Sequence, residues 1–170
     1  MPKRKVRKAV CAGSFDPVTK GHLFVIKQGA RLFDELVLAV GVNPDKTYTF
    51  TVEERVAMLE AVSKGLKNVS VEAMPNAYLV NYANDIGAEW VLRGIRDDDD
   101  FRYEHTMHHV NKDICAKITS VYLMAPRDLS EVSSSFVRGL VGPDGWEQVV
   151  AKYLPKEVIE IIRGRLPGNA

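Results

Sequence analysis

Cysteine is nearly absent from this chain: Cys11 and Cys115 are the two in 170 residues, with no metal-type spacing between them. A disulfide framework and a cysteine-built metal centre are therefore not expected. Long hydrophobic runs are missing too. No apolar stretch approaches the ~20 residues that span a bilayer, and Arg7 and Lys8 interrupt the segment Val6–Ala12 where a signal peptide would be apolar. Charge of one sign is not in excess, the net charge being +1, which argues against a dominant nucleic-acid-binding surface. No internal repeat and no long linker divides the sequence. What remains is ordinary soluble-globular composition, 46% apolar and 26% charged, in a chain long enough to bury a core. The expectation is one cytoplasmic domain over residues 1–170, with 1–5 a mobile basic leader and 144–170 C-terminal helices.

Strand-like runs alternate with segments of helical period. Val6–Ala12, Glu35–Val42, Val69–Ala73, Glu89–Leu92 and Thr119–Met124 read as strands. Gly21–Phe33, Tyr78–Ile86 and Phe101–Cys115 read as helices, as do Ser133 onward, Trp146–Tyr153 and Lys156–Arg163. Thr51-Val52-Glu53-Glu54 is a capping box that opens a further helix, with Val56, Leu59 and Val62 on its apolar face and an end near Gly65. The acidic run Asp97–Asp100 marks a loop and a helix start, where carboxylates suit the dipole. This alternation predicts an α/β, Rossmann-like, doubly wound fold: a mostly five-stranded parallel sheet with helices on both faces. Ligands of such sheets bind beyond the carboxyl ends of the strands. The Gly13 turn, Asn43–Lys46, Arg93–Arg96 and Pro126–Ser135 should meet there.

The segment Gly13-Ser14-Phe15-Asp16-Pro17-Val18-Thr19-Lys20-Gly21-His22 joins the first strand to the first helix. A glycine-led turn into a helix N-terminus presents unpaired N–H groups, where anions settle. Thr19 and His22 are three residues apart, so both are placed to face one phosphate. Thr19-Lys20-Gly21-His22 resembles the (H/T)xGH signature of the nucleotidylyltransferase superfamily, in which these positions bind nucleotide phosphates.

Four segments in register make a closer resemblance, to the bacterial phosphopantetheine adenylyltransferase family. They are Gly13–His22; Asn43-Pro44-Asp45-Lys46 with Phe50–Arg55; Arg93-Gly94-Ile95-Arg96 with Asp100-Phe101 and Tyr103-Glu104; and Val132-Ser133-Ser134-Ser135. The match runs from about residue 9 to 140. It implies AMP transfer from ATP to 4′-phosphopantetheine, giving dephospho-coenzyme A and pyrophosphate by direct in-line attack. It also implies Mg²⁺ as cofactor, held mainly by phosphates and water, coenzyme A as feedback ligand, and a homohexamer.

The resemblance assigns roles by position. His22, Lys46, Ser14 and Arg96 take the catalytic places. Gly13, Ser14, Phe15, His22, Arg96, Glu104 and the run Ser133, Ser134 and Ser135 match ATP-binding positions. Ser14, Lys46, Leu79, Arg93 and Asn111 match phosphopantetheine-binding positions. The chemistry agrees with these residue types. A phosphate monoester has its second pKa at about 6, so it is largely dianionic at neutral pH and needs no general base. The work is to bring two anions together and to stabilise added charge, which cations and N–H groups do.

The sequence departs from the family in places. Asp97–Asp99 replace a small-apolar pair, Arg102 a carboxylate, and Phe24 a common acidic residue. Ala77-Tyr78-Leu79 replaces a Gly-Leu-Leu-like lining, with Tyr78 bulky. Two further readings therefore stay open: a nucleotidylyltransferase with another phosphorylated acceptor, and a nucleotide-binding relative without turnover. His105 and His109 have an i,i+4 spacing, with His108 beside them, but no third metal ligand is evident.

Overall fold

In the computed structural model, residues 4–166 are described. The strands are β1 Lys8–Gly13, β2 Glu35–Val40, β3 Val69–Ala73, β4 Trp90–Ile95 and β5 Thr119–Met124. The helices are α1 Lys20–Leu32, α2 Val52–Ser63, α3 Leu79–Asp85, α4 Asp98–Ile114, α5 Ser134–Arg138, α6 Trp146–Val150 and α7 Lys156–Arg165. The five strands form one parallel sheet in the order β3-β2-β1-β4-β5. Winding runs outward from β1 through β2 to β3, then crosses back to β4 and β5. The switch point therefore lies between β1 and β4, where a crevice opens at the strands' carboxyl ends.

Side-chain alternation along the strands divides the core into two layers. Ala9 and Cys11 of β1 and Leu36, Leu38 and Val40 of β2 pack with Val25 and Ile26 of α1, Met58 and Leu59 of α2, and Val158 and Ile162 of α7. Val10, Ala12, Val37 and Ala39 point the other way, against Val80, Tyr82 and Ala83 of α3. The helix on the first face approaches closely. A Cβ on Gly29 would stand 2.5 Å from Leu92 Cδ2, and one on Gly94 2.8 Å from Val25 Cγ2. Glycine at both positions lets α1 lie directly on β4.

Several boundaries differ from the sequence expectation. β4 runs to Ile95, so Arg93 lies inside the strand, opposite Tyr122, rather than after it. Cross-strand pairing with β5 extends a run whose apolar character alone ends at Leu92. On α2 the fully buried face is Arg55, Met58, Leu59 and Ser63, with Val56 and Val62 half-buried at its rim. The stripe is rotated because an arginine occupies its centre. A short 3₁₀ turn, Arg127–Leu129, precedes α5. The 1–5 leader falls partly outside the described residues; within them, Arg4 pairs with Asp34 and Lys5 with Glu89.

Candidate active site

The Gly13–His22 connection is fixed by two local devices. Thr19 caps α1: its Oγ1 accepts the His22 N–H at 3.3 Å, and His22 Nδ1 accepts the Thr19 N–H at 3.0 Å. The signature is thus a capping box in which histidine takes the place usually held by Glu or Gln. Thr19 is 1% exposed, and its hydroxyl, at the cleft wall, orients His22. Because Nδ1 is the acceptor, the neutral ring carries its proton on Nε2. Burial, aided by the Arg96 and Arg93 charges, lowers the His22 pKa from 6.5 to about 4. At neutral pH this side chain is an N–H donor, not a base.

Gly13 packs closely: a Cβ there would stand 3.2 Å from the Phe15 ring, which would have to shift by a few tenths of an ångström. That ring is buried under the turn and meets the His22 ring edge-on, with centroids 5.0 Å apart. Phe15 itself adopts φ 51, the left-handed region that bulky residues rarely occupy. The turn is thereby bent so that Ser14 stands at the mouth of the crevice.

A cleft of about 370 Å³ opens at the switch point. It collects Gly13, Ser14, Phe15, His22, Lys46, Arg93, Arg96, Glu104 and Ser133–Ser135, so residues from four distant segments share one cavity. Lys46 Nζ donates to Ser14 Oγ at 3.3 Å. Leu79 and Asn111 are not among the residues lining this cleft. Leu79 opens α3 and packs against the second core layer, and Asn111 is half-buried in the last turns of α4.

The charges of the cleft are mostly paired. Arg93 binds Glu104 through Nε at 2.6 Å and donates from Nη1 to Ala12 O at 2.6 Å. Arg96 makes a two-pronged contact with Asp100, Nε to Oδ2 at 2.8 Å and Nη2 to Oδ1 at 2.9 Å. These pairs raise both arginine pKa values, against the cost of burial, which for Arg93 is the largest influence. Glu104 lines the same cleft and is the buried partner of Arg93. Among the described residues, Lys46 has no carboxylate within 4 Å. It is the cleft's unpaired cation.

The serine run is also partly structural. Ser133 Oγ accepts the Phe136 N–H at 3.1 Å as the cap of α5, and Ser134 Oγ donates to Pro17 O at 2.8 Å. What they leave for an anion is the backbone N–H groups of Ser134 and Ser135, which have no intrahelical acceptor. Ser135 Oγ accepts from Arg138 Nη2 at 3.1 Å.

Three site residues escaped the sequence reading. Asp16 is 2% exposed, and its carboxylate accepts the Thr49 N–H at 3.0 Å and the Phe50 N–H at 2.8 Å. Arg138 lines the cleft and contacts both the Asp16 carbonyl and, at 3.4 Å, its carboxylate. Arg55 donates to Ser14 O. The signals available were Asp16 inside the turn motif and Arg55 at the end of the Phe50–Arg55 segment, but their partners lie 33 to 122 residues away. Cys11 is a buried residue of the cleft wall, and burial, only partly offset by the Arg93 charge, pushes its thiol pKa up to about 11, which disfavours the reactive thiolate at neutral pH. His105, His108 and His109 are not among the residues lining this cleft. His105 and His108 line a smaller cavity of about 200 Å³ with Phe101 and Tyr122. Among the described residues no cluster of three or more His, Cys, Asp or Glu is arranged to hold a metal, and no helix is long and apolar enough to cross a membrane.

A parallel sheet with a cleft of about 370 Å³ at its switch point, lined by His22, Lys46, Arg93 and Arg96, fits a nucleotidyltransferase domain. The Cytidylyltransferase-like family model matches residues 10–140. A solved nicotinic acid mononucleotide adenylyltransferase from Plasmodium falciparum superposes with a TM-score of 0.70 at 15% identity, covering 94% of this chain and 96% of its own. Proteins named phosphopantetheine adenylyltransferase are much nearer in sequence. The one from Chromobacterium violaceum is 52% identical over 90% of this chain and 93% of its own length. Those from Neisseria meningitidis serogroup C and Micrococcus luteus are 48% and 40% identical, over 92% and 94% of this chain and 92% and 99% of theirs. The chain belongs to the phosphopantetheine adenylyltransferase family.

Proposed function

We propose that this protein transfers the adenylyl group of ATP to the phosphate of 4′-phosphopantetheine, forming dephospho-coenzyme A and releasing pyrophosphate. The observation that carries the reading is the unpaired cation Lys46, 3.3 Å from Ser14 Oγ, in the same cleft as the His22 donor. Two anions must meet in this reaction. A cation already neutralised by a carboxylate would attract neither as strongly, and Lys46 is free to face both.

In this reading a phosphate oxygen of the acceptor attacks the α-phosphorus of ATP in line, the bond to the bridging oxygen breaks, and pyrophosphate leaves. Lys46 and Ser14 hold the acceptor phosphate against the α-phosphate. His22 donates from Nε2 to the charge that grows on the α-phosphate oxygens. Arg96, the first-turn N–H groups after Ser133, and Arg138 take the β- and γ-phosphates. No residue removes a proton, because the attacking phosphate is already ionised. Gly13, Phe15 and Thr19 shape the turn, and Arg93 with Glu104 forms the wall towards the pantetheine arm. Leu79 and Asn111 belong to the arm's path in the same reading, beyond the phosphate cleft.

ATP would bind with Mg²⁺, which would offset phosphate charge and which phosphates and water, rather than protein carboxylates, would hold. The cleft's donor set supports this: Asp16, Asp100 and Glu104 are each committed to N–H or guanidinium partners. A homohexamer and coenzyme A as a product-side ligand belong to the same proposal. Exposed Phe101, Tyr103 and Val110 on α4 supply apolar surface for assembly, which light scattering reads directly.

The test is pyrophosphate release from MgATP with 4′-phosphopantetheine. Release that depends on this acceptor is expected. Release with a different phosphorylated acceptor but not with this one would leave only the broader class.

A further inference from the structure

Directly behind Ser14 lies a second cation. Arg55 is 1% exposed, and among the described residues no carboxylate stands within 4 Å of its guanidinium. A buried, unpaired charge is costly, and an apolar side chain of similar volume on this face of α2 would serve the core at least as well. The contacts that Arg55 does make are specific. Nη1 donates to Ser14 O at 2.8 Å and to Gly41 O at 3.1 Å, and Nε donates to Thr51 O at 3.3 Å. The ring of Tyr48 lies 4.1 Å from Cζ, within cation–π range.

Of these partners Ser14 lines the cleft, and Gly41, Tyr48 and Thr51 lie on the segment that carries Lys46. Ser14 follows β1 and Gly41 follows β2, so one nitrogen bridges the loops that leave two neighbouring strands. Tyr48 closes the second loop by accepting the Asn43 N–H at 2.9 Å, and its ring centroid lies 5.6 Å from Lys46 Nζ. Arg55 therefore holds Ser14 from below and supports the aromatic platform beside Lys46. It makes no hydrogen bond to His22, Arg96, Arg138 or the serine run among the described residues.

We propose that Arg55 is a positioning residue for the acceptor half of the reaction, setting the separation of Ser14 and Lys46 and so the place where the acceptor phosphate is held. The inference rests on the assignment of Lys46 to that phosphate. It draws on the forked guanidinium, whose Nη1 and Nε together reach three carbonyls while Cζ stands 4.1 Å from the Tyr48 ring centroid, a span that a lysine's single nitrogen lacks.

Arg55→Lys and Tyr48→Leu test it in the full chain, with calorimetric Kd measured separately for ATP and for 4′-phosphopantetheine, and with pyrophosphate release. Acceptor Kd should rise and kcat should fall, each ~10-fold or more, while ATP Kd stays within about 2-fold of the unaltered protein. In a Lys46→Ala background, Arg55→Lys should add little, since it acts through Lys46. Equal weakening of both substrates, or independent multiplication of the Arg55 and Lys46 effects, would overturn the proposal. Should Arg55→Lys not fold, Tyr48→Leu, at a half-buried loop position, carries the same expectation by itself. An unaltered protein inert towards both substrates would remove the functional reading. An active one whose two variants bind the acceptor normally would remove only this inference.

Discussion

Replacing His22 separates the two tasks its ring performs. Nε2–H is assigned to the transition state, while Nδ1 closes the capping box with the Thr19 N–H at 3.0 Å. Loss of one donor aimed at developing oxyanion charge lowers kcat by ~10²–10³-fold, or about 2.7–4 kcal/mol. Loss of the reciprocal capping bond costs about 1 kcal/mol of stability. In a protein of this size that corresponds to a Tm decrease of roughly 2–4 °C. His22→Ala should therefore show both effects. His22→Gln, which can still accept the Thr19 N–H, should recover most of the Tm and leave kcat at least ~10-fold low. Because the donor acts mainly in the transition state, kcat and kcat/KM for ATP should fall together. Steady-state pyrophosphate release and thermal denaturation of the two variants measure this. A His22→Ala protein with kcat within ~3-fold of the parent would refute the role, as would a Gln variant restored in both properties.

The remaining predictions concern the pairing and packing that hold the cleft. Arg93→Met should cost about 3–5 kcal/mol by stranding buried Glu104, with Arg93→Met/Glu104→Gln recovering part of it; an unchanged Tm in the single variant would contradict the pairing. Gly29→Ala should destabilise by about 1–3 kcal/mol in denaturant unfolding despite a helix-propensity gain of about 1 kcal/mol, because its Cβ would stand 2.5 Å from Leu92 Cδ2; stabilisation would refute the close approach. The His22 imidazole should titrate near pH 4 in the free protein by NMR, and ATP phosphates should raise that value. Since its folded pKa lies below the unfolded value of 6.5, its contribution to stability is complete above that pH and is lost as pH falls towards 4; a ring titrating near 6.5 in the free protein would contradict the assignment.

Much of the scaffold was readable because its determinants are local. The strands Val69–Ala73 and Thr119–Met124 and the Thr51/Glu54 box follow from alternation and capping chemistry confined to a few residues. The convergence of the Gly13 turn, Lys46, Arg96 and the serine run follows from parallel strands presenting their carboxyl ends together. What was not readable depends on distant partners. Nothing near Arg55 announces that it will bind Ser14 O, 41 residues earlier, and nothing near Asp16 announces Arg138, 122 residues later. Arg93 was placed after its strand because an arginine breaks an apolar run, whereas Glu104 and Ala12 O satisfy it within the sheet. Histidine as the reciprocal partner in the α1 capping box was missed for the opposite reason. A local device was present, but in a residue type that the usual Glu/Gln pattern does not include.

Catalysis here depends on how the two substrates meet. Turnover of ATP with one non-bridging α-oxygen replaced by sulfur, as a single diastereomer at phosphorus and with 4′-phosphopantetheine as acceptor, fixes this through the configuration of the product's phosphorothioate, read by ³¹P NMR. Inversion at phosphorus is the predicted outcome, one in-line displacement between anions held by Lys46, Ser14 and His22. Retention would mean two displacements through an adenylylated side chain, and would contradict it.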